Sequence, residues 1–222
     1  LDTSFSKSMW NYTFPNLVYC GNLYISSANI KANKLTKAHY IQIINSNKIC
    51  MEKLSNVDTL ILRSCKYADF NSLQEAENLT IAESKYSYFD DLRFIKNNLK
   101  LNRVNILNLN VENVLGTIEA KSVGTLNLAQ LINTKNLIVN ECKNLKVPLL
   151  KNVFNNMEVK RTPVIESESL ETIGGTLDLK GVNGINLSNL THVGGDIILV
   201  HSNCTALPKN ELRKKIITHK KD

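Results

Sequence analysis

Long hydrophobic runs are missing from this chain: its longest uninterrupted apolar stretches are only a few residues, as from Ile197 to Val200. A helix needs ~20 apolar residues to cross a bilayer, so no transmembrane helix is expected and the chain reads as soluble. Residues 1 to 14 contain no basic region followed by an apolar stretch, and no signal peptide is expected within them. Cysteine is sparse and unpaired in pattern. The five residues Cys20, Cys50, Cys65, Cys142 and Cys204 are odd in number, widely spaced and without a CxxC motif, which argues against a disulfide framework or a zinc knuckle. Free thiols lean toward an intracellular, reducing setting; a secreted or surface-exposed one is the alternative. His39, His192, His201 and His219 show no metal-ligand spacing. No GxSxG, P-loop or GxGxxG motif stands at a strand-to-helix junction, so neither a metal nor a cofactor is expected. No linker rich in Pro, Gly or Ser divides the chain.

What is present is a chain of 222 residues with 43% hydrophobic content, enough for one sizeable core or one continuous array. The net charge of +7 comes from 22 Lys against 5 Arg in an Asn- and Ile-rich composition. Positive excess favours acidic partners, although AT-rich codon usage accounts for the same bias. Nucleic acid is not the expected partner. Five N-x-S/T sequons, at Asn11, Asn78, Asn186, Asn189 and Asn203, are close to the number that the Asn, Ser and Thr content gives by chance, and they carry no case for secretion.

An apolar pair, with one residue between its members, recurs along the chain: Leu23/Ile25, Ile41/Ile43, Leu60/Leu62, Leu79/Ile81, Leu99/Leu101, Ile118/Ala120, Leu137/Val139, Met157/Val159, Leu177/Leu179 and Ile197/Leu199. Successive starts lie 18 to 20 residues apart, the mark of a stacked-repeat architecture. Further columns keep the register. Six or seven residues before each pair stands an aliphatic residue, from Leu17 to Leu190, and five residues after its start a small one, including Ala28, Cys65, Cys142 and Val182. Alternation within the pair predicts a β-strand with the pair facing inward. Ten coils at ~4.8 Å spacing build a parallel sheet. The expected fold is mainly β: a parallel β-solenoid of about ten coils with few regular helices, the rest of each coil returning as turns or short helical pieces.

The segments VDTLILRSC (57–65), AENLTIAES (76–84) and TKNLIVNEC (134–142) resemble the leucine-rich-repeat family, whose signature reads LxxLxLxx(N/C)xL. The later coils LETIGGTLDLKGV (170–182) and LTHVGGDIILVHS (190–202) carry one extra residue and are more similar to receptor L domains and related surface leucine-rich proteins. The ladder asparagine of the family is replaced here by Cys, Ser, Thr, Val or Ala. The resemblance implies a solenoid over residues 17–207 that serves recognition, in a surface or host-interacting protein. Residues 1–16, with Phe5, Met9, Trp10, Tyr12 and Phe14, read as an N-terminal cap. Residues 208–222 read as a basic C-terminal capping helix, with Leu212, Ile216 and Ile217 on its apolar face; a membrane or partner anchor is the alternative.

Two outward columns carry the candidate chemistry. The residues before each pair, Asn22, Tyr40, Thr59, Asn78, Asn98, Thr117, Asn136, Asn156, Thr176 and Asp196, suit either a hydrogen-bonded stabilising ladder or a row of donors and acceptors for a ligand. Between and beyond the pair members, Glu119, Glu158 and Asp178 stand two residues before Lys121, Lys160 and Lys180, which gives an acidic stripe beside a basic one. The stripes are either cross-strand ion pairs or a patterned docking strip. Residues expected to bind are Arg63, Lys121, Lys160 and Lys180, with Tyr24 and Lys100 in support. The expected function is a non-enzymatic module recognising an acidic protein or glycan on the strand face. The competing readings are a β-helix enzyme acting on a polysaccharide, with Glu158 and Asp178 as its carboxylates, and a structural spacer.

Overall fold

The computed structural model describes residues 10–206, 208 and 210–218. Every strand pairing among them is parallel, and the strands stack as a β-solenoid of about eleven turns. Each apolar pair of the repeat sits in the long sheet that runs the length of the solenoid, from Tyr19–Ser26 through Lys37–Ile44, Asn56–Arg63 and Glu75–Ala82 to Ile197–Val200. Pair members align coil on coil: Leu60 opposes Ile41 and Leu79, and Leu137 opposes Ile118 and Met157. These side chains are buried from Ile41 to Ile197, and only the end coil leaves Leu23 half-covered. The aliphatic and small-residue columns are buried with them, including Leu35, Leu73, Leu150, Cys65, Cys142 and Val182.

The returning half of the coil differs from the turns or short helical pieces expected. It contains a second strand, three or four residues long, from Trp10–Thr13 and Ala28–Lys31 to Asn203–Ala206. Its cause is a second inward alternation, seen in Ile49/Met51, Ala68/Phe70, Leu126/Leu128, Leu145/Val147 and Ile185/Leu187, all buried. Two apolar positions two residues apart direct a strand face toward the core as they do in the long sheet. These short strands form a back layer in two sheets, one from Trp10–Thr13 to Tyr86–Tyr88 and one from Ile106–Asn108 to Asn203–Ala206.

Between the long strand and the back strand the chain turns at a left-handed residue in every coil: Ser27, Asn45, Ser64, Glu83, Arg103, Ser122, Glu141, Arg161, Gly181 and His201, with φ between 49° and 65°. In nine of these ten coils, from Ser27 to Gly181, the corner N–H donates to the next coil, as from Ser64 to the Ala82 carbonyl at 2.9 Å; this offsets the cost of a conformation unfavourable to side chains. Where one extra residue precedes the apolar pair, the long strand bulges or splits, as between Asn152–Val153 and Met157–Lys160. Gly174 marks such a site: a Cβ there would lie 1.9 Å from the Phe154 carbonyl oxygen.

At the N-terminal end, Phe5 and Met9 of the expected cap lie outside the described residues. Trp10–Thr13 is the first rung of the back layer, with Trp10 75% exposed and Phe14 packed on the core. At the C-terminal end the expected helix is one turn, Asn210–Arg213, which buries Leu212. Ile216–Ile217, expected on that helix, instead pairs with Ile197–Ile198 and adds a rung to the long sheet. Sheet hydrogen bonds from the open edge of the last full coil outweigh helix propensity over two β-branched residues. No helix among the described residues is long and apolar enough to cross a membrane.

Candidate functional site

The outward face of the long sheet carries all six residues expected to bind, but distributes them. Tyr24 belongs to the first long strand, Arg63 to the third, Lys100 to the fifth, Lys121 to the sixth, and Lys160 and Lys180 to the eighth and ninth rungs. At ~4.8 Å per rung, Arg63 and Lys180 are about 30 Å apart. Only Lys160 and Lys180 are register neighbours. The basic column is interrupted: Arg63 opposes Ala82, and Lys121 stands between Asn102 and Asn140. The acidic column is interrupted too, because Ile138 separates Glu119 from Glu158.

Charge pairing sorts these cations into two kinds. Lys160 Nζ contacts Glu158 at 2.8 Å and Asp178 at 3.2 Å. Its ammonium is held above the ordinary lysine range by the hydrogen bond to Glu158, against partial desolvation, with the bond to Asp178 adding to the rise. Lys100 reaches Glu119 at 3.7 Å. Arg63, Lys121 and Lys180 have no carboxylate partner among the described residues and are exposed. At the first coils the face is aromatic instead: the Tyr24 ring lies 5.2 Å from that of Tyr40, and Tyr19 meets His39 edge-on at 5.7 Å. His39 Nδ1 is also 2.6 Å from Asp58.

From Asn98 to Thr176 the polar column before the pair is a ladder. Asn98 Oδ1 accepts the Thr117 N–H at 3.0 Å, Asn136 Nδ2 donates to Thr117 Oγ1 at 3.1 Å, and Asn156 Oδ1 accepts the Thr176 N–H at 2.9 Å. A second ladder, which sequence reading had not found, joins Asn113, Asn133, Asn152 and Thr172 through bonds of 2.7 to 3.0 Å. Its signal was available as Asn or Thr recurring at the start of the long strand. The left-handed corner carries a third polar line, in which Ser64, Glu83 and Arg103, then Ser122, Glu141 and Arg161, connect at 3.0 to 3.1 Å. These bonds spend the polar groups on the solenoid itself.

Among the described residues no group of three or more His, Cys, Asp or Glu is placed to hold a metal ion. Comparison with family models, characterised proteins and solved structures finds no match for the chain.

Proposed function

We propose that this chain is a non-enzymatic binding module of leucine-rich-repeat type that engages an acidic macromolecule, either protein or anionic glycan, along the outward face of its long sheet. The observation that carries the reading is the set of exposed, unpaired cations Arg63, Lys121 and Lys180 on a rigid sheet whose carboxylates Glu119, Glu158 and Asp178 lie within reach of other lysines. A rigid backbone orders few side chains on binding and keeps the entropic cost low. Unpaired cations steer an acidic partner toward that face. The 30 Å scale of the spread suits an extended ligand rather than a small molecule.

The polysaccharide-cleaving alternative requires one carboxylic acid of the pair to stay protonated. Lys160 contacts both Glu158 and Asp178, so one ammonium already engages both carboxylates. This geometry supports binding over hydrolysis.

The test compares two charge reversals of equal size: Arg63→Glu, Lys121→Glu and Lys180→Glu together on the long sheet, against Lys31→Glu, Lys48→Glu and Lys66→Glu on the back layer. Immobilised heparin stands for an anionic glycan and immobilised polyglutamate for an acidic protein surface. The long-sheet variant should elute at clearly lower salt on at least one matrix, with the back-layer variant near wild type. Equal losses in both would mean diffuse attraction to a basic chain and would remove the assignment to this face.

A further inference from the structure

The back layer is interrupted once. Tyr86–Tyr88 closes one short sheet and Ile106–Asn108 opens the next, while the long sheet passes the same level without a break. In most other coils two residues separate the last inward residue of the back strand from the next aliphatic one, and an N–H to carbonyl bond closes the turn, as from Leu54 to Met51 at 3.0 Å and from Leu131 to Leu128 at 3.0 Å. The coil that follows the gap has a single residue there, Asn110 between Leu109 and Val111, yet its back strand keeps full register with the next coil, Leu107 opposite Leu126. Asn110 Nδ2 and Arg93 Nη1 both donate to the Asp90 carbonyl, at 2.9 and 2.7 Å, and tether the edge of the gap.

The gap is a cleft of about 250 Å³, below the range of ~300–1,000 Å³ usual for drug-sized ligands and suited to a single ring. Tyr86 and Tyr88 line it, 48% and 40% exposed. Each is fixed from one side: Lys85 Nζ stands 5.3 Å from the Tyr86 ring centre, and the Tyr88 ring packs 5.4 Å from that of Tyr67. Asn105, Asn108 and Asp90 add exposed amide and carboxylate groups. Ser87, between the two tyrosines, occupies the inward column in register with buried Ala68, so the two rings stand on the outward side of the strand.

We propose that this cleft binds a neutral pyranose ring of a glycan. A pyranose has an apolar C–H face, which stacks on tyrosine, and an edge of hydroxyls that both donate and accept, which the amides of Asn105 and Asn108 and the Asp90 carboxylate satisfy together. Lys85 and Asp90 offset each other in charge, so neither a phosphate nor a sugar acid is favoured. The site is separate from the long-sheet face and stands or falls without it.

Saturation-transfer NMR with the methyl pyranosides of glucose, galactose, mannose and N-acetylglucosamine, each at about 10 mM, tests the assignment. At least one should receive saturation, strongest on the protons of one ring face. Tyr86→Ala and Asn108→Ala both alter exposed side chains, and each should weaken that binding by about tenfold or more, whereas Tyr24→Ala on the long sheet should leave it unchanged. Three outcomes overturn the proposal: no transfer to any of the sugars, transfer undiminished in both cleft variants, or equal loss in Tyr24→Ala, which would mark unsited stacking on exposed tyrosine.

Discussion

Glu158 and Asp178 occupy the same register position in adjacent coils, and one ammonium, that of Lys160, holds both. Two carboxylates at neighbouring rungs repel unless a cation lies between them. Lys160→Met should therefore destabilise the solenoid near neutral pH, by no more than about 1 kcal/mol because the groups are partly exposed. The pH dependence has a definite sign. The Lys160 ammonium is raised above its ordinary value of 10.5, so its contribution is complete below that value and is lost as pH rises through the folded-state value. Urea denaturation of wild type and variant should give curves that differ near neutrality and converge in the alkaline range above 10.5. A gap that stays constant into strong alkali would mean that packing, not charge, links the two residues.

Leu137 and Ile138 are sequence neighbours on opposite faces: Leu137 is fully buried, and Ile138 is part-exposed between Glu119 and Glu158. Leu137→Asp buries an unpaired charge and should cost several kcal/mol, roughly 4 or more, enough to break the array. Ile138→Asp should be folded but would join Glu119, Glu158 and Asp178 into four carboxylates on consecutive rungs. Ile138→Lys is the sharper probe, since the register sets its ammonium between two acids, and it should melt at or above the wild-type temperature. Equal melts for Leu137→Asp and Ile138→Lys would refute the register.

The thiols offer a probe of the same corner without mutation. Cys65 and Cys142 are buried. Desolvation pushes the Cys142 thiol up to about 11 and raises that of Cys65, where hydrogen bonds to Ser46, Arg63 and Ser84 work partly against it. Since the thiolate is the reactive form, neither should take up iodoacetamide in the native state at neutral pH, and both should do so after denaturation. Part-exposed Cys50 should label before them. Peptide mass spectrometry resolves the sites, and rapid native labelling at Cys142 would place that column in solvent.

The core of this fold was legible because the pairing rule is local: Leu137 and Val139 announce a strand by their own spacing, and ten copies set the period. The back strands use the same spacing, Leu126/Leu128 or Leu145/Val147, but in segments of three residues, too short to separate from a turn without knowing that a neighbouring coil would pair with them. The left-handed corner carries no glycine signature, since Glu83, Arg103 and Ser122 occupy it, held by bonds to the next coil rather than by their own preference. The binding face was legible by column but not by partner. Lys121 and Lys160 look alike in sequence, each two residues after a Glu, yet Lys160 meets Asp178 of the next coil while Lys121 stands between Asn102 and Asn140. The cleft at Tyr86 and Tyr88 depends on the break between two back strands, Tyr86–Tyr88 and Ile106–Asn108, visible only once coils are laid side by side.

Asn152 is the central link of the ladder at the start of the long strands. Its Nδ2 donates to Asn133 Oδ1 at 2.8 Å and its Oδ1 accepts from Thr172 Oγ1 at 2.7 Å, so one side chain links three coils. Asn152→Ala removes both bonds and leaves two half-buried partners to find water, which should cost roughly 1–3 kcal/mol. Asn152→Asp keeps the acceptor toward Thr172 but sets a carboxylate oxygen against Asn133 Oδ1, two acceptors facing each other, so much of the loss should remain at neutral pH. Protonation of that carboxyl supplies a donor in place of the missing N–H, and the Asp variant should therefore recover stability toward wild type as the pH falls through the carboxyl range, whereas the Ala variant should not. Chemical denaturation of the three proteins across that range gives the answer. Wild-type stability in Asn152→Ala would show that the line through Asn113, Asn133, Asn152 and Thr172 is not a structural ladder.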